Sequence, residues 1–107
     1  GSVQIGVTAQ ADGTKANATQ LNAAFVKVTT SAGAGDSVLL PLGYAGLEVI
    51  IANAGASSIQ VFGKETDTIN DVATATGVTQ NNAITALYKC VNVTAAGVGE
   101  WYRILSA

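Results

Sequence analysis

The sequence predicts an all-β fold, a compact antiparallel β-sandwich or barrel of the jelly-roll kind. Short segments in which apolar and polar residues alternate recur about every 8–12 residues, and Gly or Asn turns separate them. A chain of 107 residues has the usual length of one domain. Residues 1–107 are therefore predicted to form a single β domain, with Gly1–Ser2 either a cloning remnant or the native start.

The first half of the chain contains five predicted strands. They are residues 3–7, 26–30, 37–40, 47–52 and 59–62. Pro41 ends the third strand, because proline has no N–H to donate to a sheet. The fourth and fifth strands are predicted to pair as a hairpin across the turn at residues 53–58.

The second half begins with a tight corner at residues 66–71 around Ile69, followed by a short strand at 78–80. Residues 84–93 alternate, which places Ile84, Ala86, Tyr88 and Cys90 on one face. Residues 100–105 form the closing strand. The core is expected to include the following eight residues: Leu47, Val49, Ile51, Ile59, Val61, Ile69, Ile84 and Trp101.

One segment permits a second interpretation. Leu21 and Phe25 are four residues apart and Ala is frequent around them, which would suit one face of a helix. A short helix near residues 16–25 is therefore an alternative to extended structure.

The composition excludes several function classes. Charged residues make up 11% of the chain, with five basic residues scattered along it and a net charge of −2, so a basic nucleic-acid-binding surface is not expected. Residues 38–47 are interrupted by Pro41 and two glycines and are too short to span a membrane, which needs about 18 apolar residues. With no His and one Cys, the composition favours a non-enzymatic assembly protein.

The best candidate metal ligands are Glu65, Asp67 and Asp71, together with Asn70. Their oxygen atoms could bind Ca²⁺, but the longer loop and terminal Glu of an EF-hand are absent. Asp and Asn also hydrogen bond to their own backbone in turns. A turn is the preferred interpretation, and no metal ligand or cofactor is assigned.

Cys90 and the loop at residues 31–36 are two further candidates for a chemical site. Cys90 would need a base to act as a nucleophile; Lys89, its neighbour on the strand, is expected on the opposite face, so a buried free thiol is preferred. The loop at residues 31–36 contains two glycines but lacks a following Gly-Lys-Ser/Thr. No catalytic or cofactor-binding residue is assigned.

Four aromatic residues could form a sugar-stacking platform: Tyr44, Tyr88, Trp101 and Tyr102. Neighbours on a strand face opposite sides, so one of the pair Trp101 and Tyr102 is expected in the core. The preferred interpretation places these rings partly in the core and partly in an interface.

Four segments together resemble a widespread family of small β-rich bacteriophage structural proteins. They are DSVLLP (Asp36–Pro41), AGLEVIIANAGASSIQVF (Ala45–Phe62), DTIND (Asp67–Asp71) and CVNVTAAGVGEWYRI (Cys90–Ile104). The resemblance covers roughly residues 26–104. At the family's GDTINGxA corner this chain has Thr66 and Asp71 where Gly is usual. Such modules occur in head-decoration proteins and in head or tail fibres, so the resemblance implies a virion role.

The preferred interpretation is a capsid decoration (cement) protein on the surface of the virion, made in the host cytoplasm. Its expected partners are the major capsid protein and copies of itself in a homotrimer, without nucleic acid or membrane. The alternative is a tail or head-fibre module that recognises a host receptor or glycan. A bacterial surface carbohydrate-binding domain is a third interpretation.

Overall fold

The computed structural model describes residues 2–106, so Gly1 of the Gly1–Ser2 pair lies outside the described residues. Within this range the chain forms ten strands and no helix. The strands are β1 (Val3–Thr8), β2 (Thr19–Gln20), β3 (Phe25–Thr30), β4 (Asp36–Leu39), β5 (Glu48–Asn53), β6 (Ile59–Phe62), β7 (Thr68–Ile69), β8 (Val78–Gln80), β9 (Thr85–Val93) and β10 (Gly99–Leu105). The all-β prediction is confirmed.

The alternative of a helix near residues 16–25 is wrong. This segment contains a turn at residues 15–17 and the short strand β2, and it enters β3 at Phe25. Leu21 and Ala23 are buried on either side of the exposed Asn22, which is the period of an extended chain. Phe25 does not share a buried face with Leu21, since 38% of the Phe25 surface is exposed against 0% for Leu21.

The described strands form two sheets, and the chain alternates between them. The first sheet has the order β1-β3-β5-β9-β10-β7, and the second has the order β2-β4-β6-β8. Odd-numbered and even-numbered strands up to β8 therefore lie in different sheets, and β9 and β10 return together to the first. The Cα radius of gyration of 12.4 Å is that of a compact chain of this length.

The prediction of antiparallel pairing is wrong for five of the eight strand pairs among the described residues. β1, β3 and β5 are parallel neighbours, as are β2, β4 and β6. Parallel neighbours need a long crossover, and here each crossover passes through a strand of the opposite sheet. Antiparallel pairing is confined to β5–β9, β9–β10 and β6–β8 among the described strands, while β7 joins β10 in parallel.

The predicted hairpin between residues 47–52 and 59–62 is also wrong, because β6 pairs with β4 and β8. Asn53 stabilises the turn that carries the chain from one sheet to the other. Its buried amide donates to the carbonyl oxygens of Ser57 (3.0 Å) and Gln80 (3.2 Å), and its Oδ1 accepts from the N–H of Gly55 at 3.1 Å. The turn at residues 53–58 was therefore predicted correctly, but the sheet that the chain joins after the turn was not.

Both sheets contribute to one hydrophobic core. Six of the eight predicted core residues are at most 1% exposed: Val49, Ile51, Ile59, Val61, Ile69 and Trp101. Leu47 is half-buried and packs against this core. Ile84 is half-buried because it precedes β9, whereas Ala86, Tyr88 and Cys90 share the inward face as predicted.

Candidate functional site

The three carboxylates considered as metal ligands point in different directions. Asp67 is 1% exposed, whereas Glu65 and Asp71 lie on the surface. The Asp71 carboxylate accepts a hydrogen bond from the Tyr102 hydroxyl at 2.7 Å, and this bond raises the pKa of Tyr102. Within residues 2–106, no three His, Cys, Asp or Glu side chains are grouped closely enough to hold a metal ion.

The corner itself has the backbone of a tight turn. Asn70 and Asp71 have φ angles of 52° and 61°, in the left-handed region that Asn and Asp adopt more readily than most residues. A Gly at position 71 would adopt the same positive φ without strain. The Asn70 side chain accepts from the N–H of Arg103 at 3.2 Å, which ties the corner to β10.

Both oxygens of the buried Asp67 carboxylate accept hydrogen bonds from the protein. Its Oδ2 accepts from the N–H of Gly43 (2.8 Å) and from the indole Nε1 of Trp101 (3.2 Å), and its Oδ1 accepts from the N–H of Gly99 at 2.8 Å. Three donors offset the cost of burying a charged group. The carboxylate therefore joins three distant chain segments and is not free to bind a ligand.

Cys90 is buried, and its Sγ lies 3.4 Å from the carbonyl oxygen of Asn92. Burial raises the pKa of the Cys90 thiol, which keeps it in the less reactive protonated form. Lys89 lies on the opposite face, as predicted, with its Nζ 3.4 Å from Glu48 Oε2. The arrangement is that of a packed thiol rather than a nucleophile.

The four aromatic residues do not form one platform. Trp101 and Tyr88 are fully buried, while Tyr102 and Tyr44 are 41% and 62% exposed. The prediction that one of Trp101 and Tyr102 enters the core is thus confirmed for Trp101. The loop at residues 31–36 is held by its own side chains, since Asp36 Oδ2 accepts from the N–H of Gly33 at 3.2 Å.

An apolar row crosses the outer face of the first sheet, the face that points away from the core. Strand register places Val3 beside Phe25, Phe25 beside Ile50, Ile50 beside Leu87 and Leu87 beside Ile104. We call these five residues the apolar row. Val3 and Ile104 are 63% and 70% exposed. Neighbouring strands lie about 4.8 Å apart, so the row is roughly 20 Å long.

An open groove lies at the ends of β1, β3 and β5 where these strands begin. Its volume is about 430 Å³, within the range of ligand and side-chain pockets. Leu42 and Tyr44 are exposed at the groove. Its lining residues are uncharged: Ser2, Asn22, Ala23, Ala24, Pro41, Leu42, Tyr44, Leu47 and Val49.

Sequence reasoning did not identify the apolar row or the groove. A usable signal for the row was present, because Ile50 and Leu87 occupy outward positions where a half-exposed strand should have polar residues. The groove gave no such signal, since it combines loop residues with the beginnings of three strands that only the parallel pairing brings together.

Comparison with protein-family models, with curated proteins and with solved structures finds no match to this chain. The described residues contain no helix long and apolar enough to cross a membrane.

Proposed function

We propose that this chain is a non-enzymatic bacteriophage structural protein that decorates the capsid and stabilises the assembled shell. In this proposal the two sheets act as a rigid sandwich, three copies form a homotrimer on the virion surface, and the major capsid protein is the partner. The groove is the observation that carries the proposal, because it offers a concave, uncharged surface with exposed apolar side chains. The resemblance of residues 26–104 to phage structural proteins supports it.

The groove suits docking of an apolar protein segment. Leu42 and Tyr44 are 49% and 62% exposed, and covering them would remove apolar surface from water. A protein that binds only the assembled lattice stabilises that lattice by mass action. Several copies around one symmetry axis add avidity, so each contact can be modest.

The experiment compares binding of purified protein to capsids of the encoding phage that were assembled without it. Leu42→Glu places a charge at the groove and should reduce capsid occupancy at least tenfold. Ala34→Glu adds the same charge at an exposed position in the turn that follows β3, away from the groove and the outer sheet face, and should bind like the wild type. Equal binding by all three proteins would remove the groove from the proposal, and no binding by the wild type would overturn the decoration function.

A fibre module that binds a host glycan is the second candidate function. It is favoured by the position of Tyr44, which shares the groove with the polar residues Asn22 and Ser2. An exposed ring beside hydrogen-bonding groups is suited to stacking on a sugar. Saturable adsorption to host cells or glycans, lost in Tyr44→Ala and accompanied by no capsid binding, would favour this function instead.

A further inference from the structure

We propose that the apolar row is the surface through which copies of this chain associate into the trimer. The groove and the apolar row adjoin where β1 and β3 begin, because Ser2 and Ala24 of the groove precede Val3 and Phe25 of the row. From there the row crosses the outer face of the sheet to Ile104, so the capsid and a second copy can contact different parts of this surface. The use of this trimer on the virion rests on the proposed function, whereas the association itself is a property of the isolated chain.

The size of the row fits a protein interface. Val3, Phe25 and Ile104 are 63%, 38% and 70% exposed, and Ile5 on the same edge strand adds a further side chain that is 71% exposed. Together these side chains present on the order of 400–500 Å² of apolar surface, within the range of about 300–600 Å² that the largest patch on a typical monomer covers and that is often functional. A standard interface buries about 800 Å² per partner, a little over half of it apolar.

The charges beside the row favour a second copy as the occupant. Glu48 and Lys89 are cross-strand partners two residues from the row on β5 and β9, and both side chains are 51% exposed. Around a threefold axis parallel to the strands, equivalent residues of the three copies lie at the same height. Glu48 of one copy can then face Lys89 of the next, so the surface complements itself.

The same threefold axis would also bring the apolar rows of the three copies into contact. Ile50 lies on the third of the five strands that the row crosses, with Phe25 and Leu87 on either side. An axis passing over Ile50 would bring three equivalent apolar rows together and remove them from water. The strongly exposed ends of the row, Val3 and Ile104, would then meet the neighbouring copies.

Sedimentation equilibrium of the full chain over a wide concentration range tests this inference. The wild type should show a reversible monomer–trimer equilibrium. Ile104→Glu places a charge at a 70% exposed position, so it should fold normally and raise the concentration needed for association at least tenfold. Leu42→Glu, which carries the same change in the groove, should associate like the wild type.

Circular dichroism and the denaturation midpoint confirm that each variant is folded. A wild type that stays monomeric at millimolar concentration would overturn the inference, as would an Ile104→Glu protein that still associates normally. A monomeric wild type whose capsid binding is lost in Ile104→Glu would show that the capsid covers the row instead. Trimer formation without capsid binding would contradict only the proposed function.

Discussion

The buried carboxylate of Asp67 accepts a hydrogen bond from the indole of Trp101, with 3.2 Å between Oδ2 and Nε1. Asp67 precedes β7 and Trp101 lies in β10, so this contact joins the tight corner to the closing strand. Both side chains are at most 1% exposed. The contact therefore holds the corner at residues 66–71 against the closing strand.

Replacing Asp67 with Asn should lower the free energy of unfolding by about 2–4 kcal/mol, because hydrogen bonds to a charged group are strong and an unpaired buried donor is costly. The carboxylate accepts from three donors. An Asn amide has one acceptor oxygen, and its NH₂ group would face another N–H. Urea denaturation measures the change.

Asp71→Asn is the matched control, since Asp71 is exposed and its hydrogen bonds run to the Tyr102 hydroxyl. Its cost should stay below about 1 kcal/mol, as is usual for surface substitutions. Similar costs for the two variants would contradict the structural role of Asp67.

Gly43 should not tolerate a side chain. A Cβ at this position would lie 2.8 Å from Cys90 Sγ and 2.9 Å from Trp101 Nε1, closer than packed atoms allow. Gly43→Ala should cost about 1–3 kcal/mol, as overpacking does. Gly33→Ala is the control, because its new Cβ would meet Asp36 Oδ1 at an ordinary 3.4 Å. Thermal denaturation of both proteins decides the matter, and a fully stable Gly43→Ala protein would show that this region is loosely packed.

Ile51 tests the identity of the core face of β5. It is 0% exposed, so Ile51→Ala should lower the free energy of unfolding by about 2–5 kcal/mol through lost burial and a residual cavity. Leu42→Ala removes a side chain that is 49% exposed and should cost far less. An unchanged denaturation midpoint for Ile51→Ala would mean that the inward face is wrongly assigned.

The buried Tyr88 hydroxyl should make the free energy of unfolding fall at alkaline pH. Burial raises the pKa of Tyr88 to about 12 from its ordinary value of 10.0, and its hydroxyl donates to Gln80 Oε1 at 2.8 Å. Below pH 10 the hydroxyl is protonated in both the folded and the unfolded chain, so the free energy of unfolding is unaffected. Above it the unfolded chain loses the proton first, and stability falls by about 2–3 kcal/mol between pH 10 and 12.

Denaturant unfolding across this pH range, with Tyr88→Phe for comparison, isolates this contribution. The variant should be less stable at neutral pH, because Gln80 Oε1 loses its partner, but its stability should fall less steeply above pH 10. Identical slopes for the two proteins would assign the alkaline loss to other groups.

The strands were predictable because alternation with a period of two is a local property of the sequence. Val49 and Ile51, or Tyr88 and Cys90, reveal their shared face without any knowledge of their partners. The direction of pairing was not predictable, because the turn at residues 53–58 suits a hairpin as well as a crossover. The strands β2 and β7 have two residues each, too few to show a period.

The environment of Asp67 was missed for a different reason. A carboxylate in a turn is normally solvated. The residues that donate hydrogen bonds to Asp67 are distant from it in sequence, so no local pattern predicts them: Gly43, Gly99 and Trp101. These residues meet only when β10 lies beside β7. The outward apolar residues Ile50 and Leu87 were visible as breaks in alternation, but a run of apolar residues equally suits a strand buried on both faces.

The occupancy of capsids as a function of ionic strength tests the decoration function most directly. Purified protein is added to capsids that lack it, at low and high salt, and bound copies per capsid subunit and the disruption temperature of the shell are measured. Because the groove is uncharged, binding should saturate at a fixed ratio, change little with salt and raise the disruption temperature. Absence of saturable binding, or binding that disappears at high salt as an electrostatic contact would, would contradict this account.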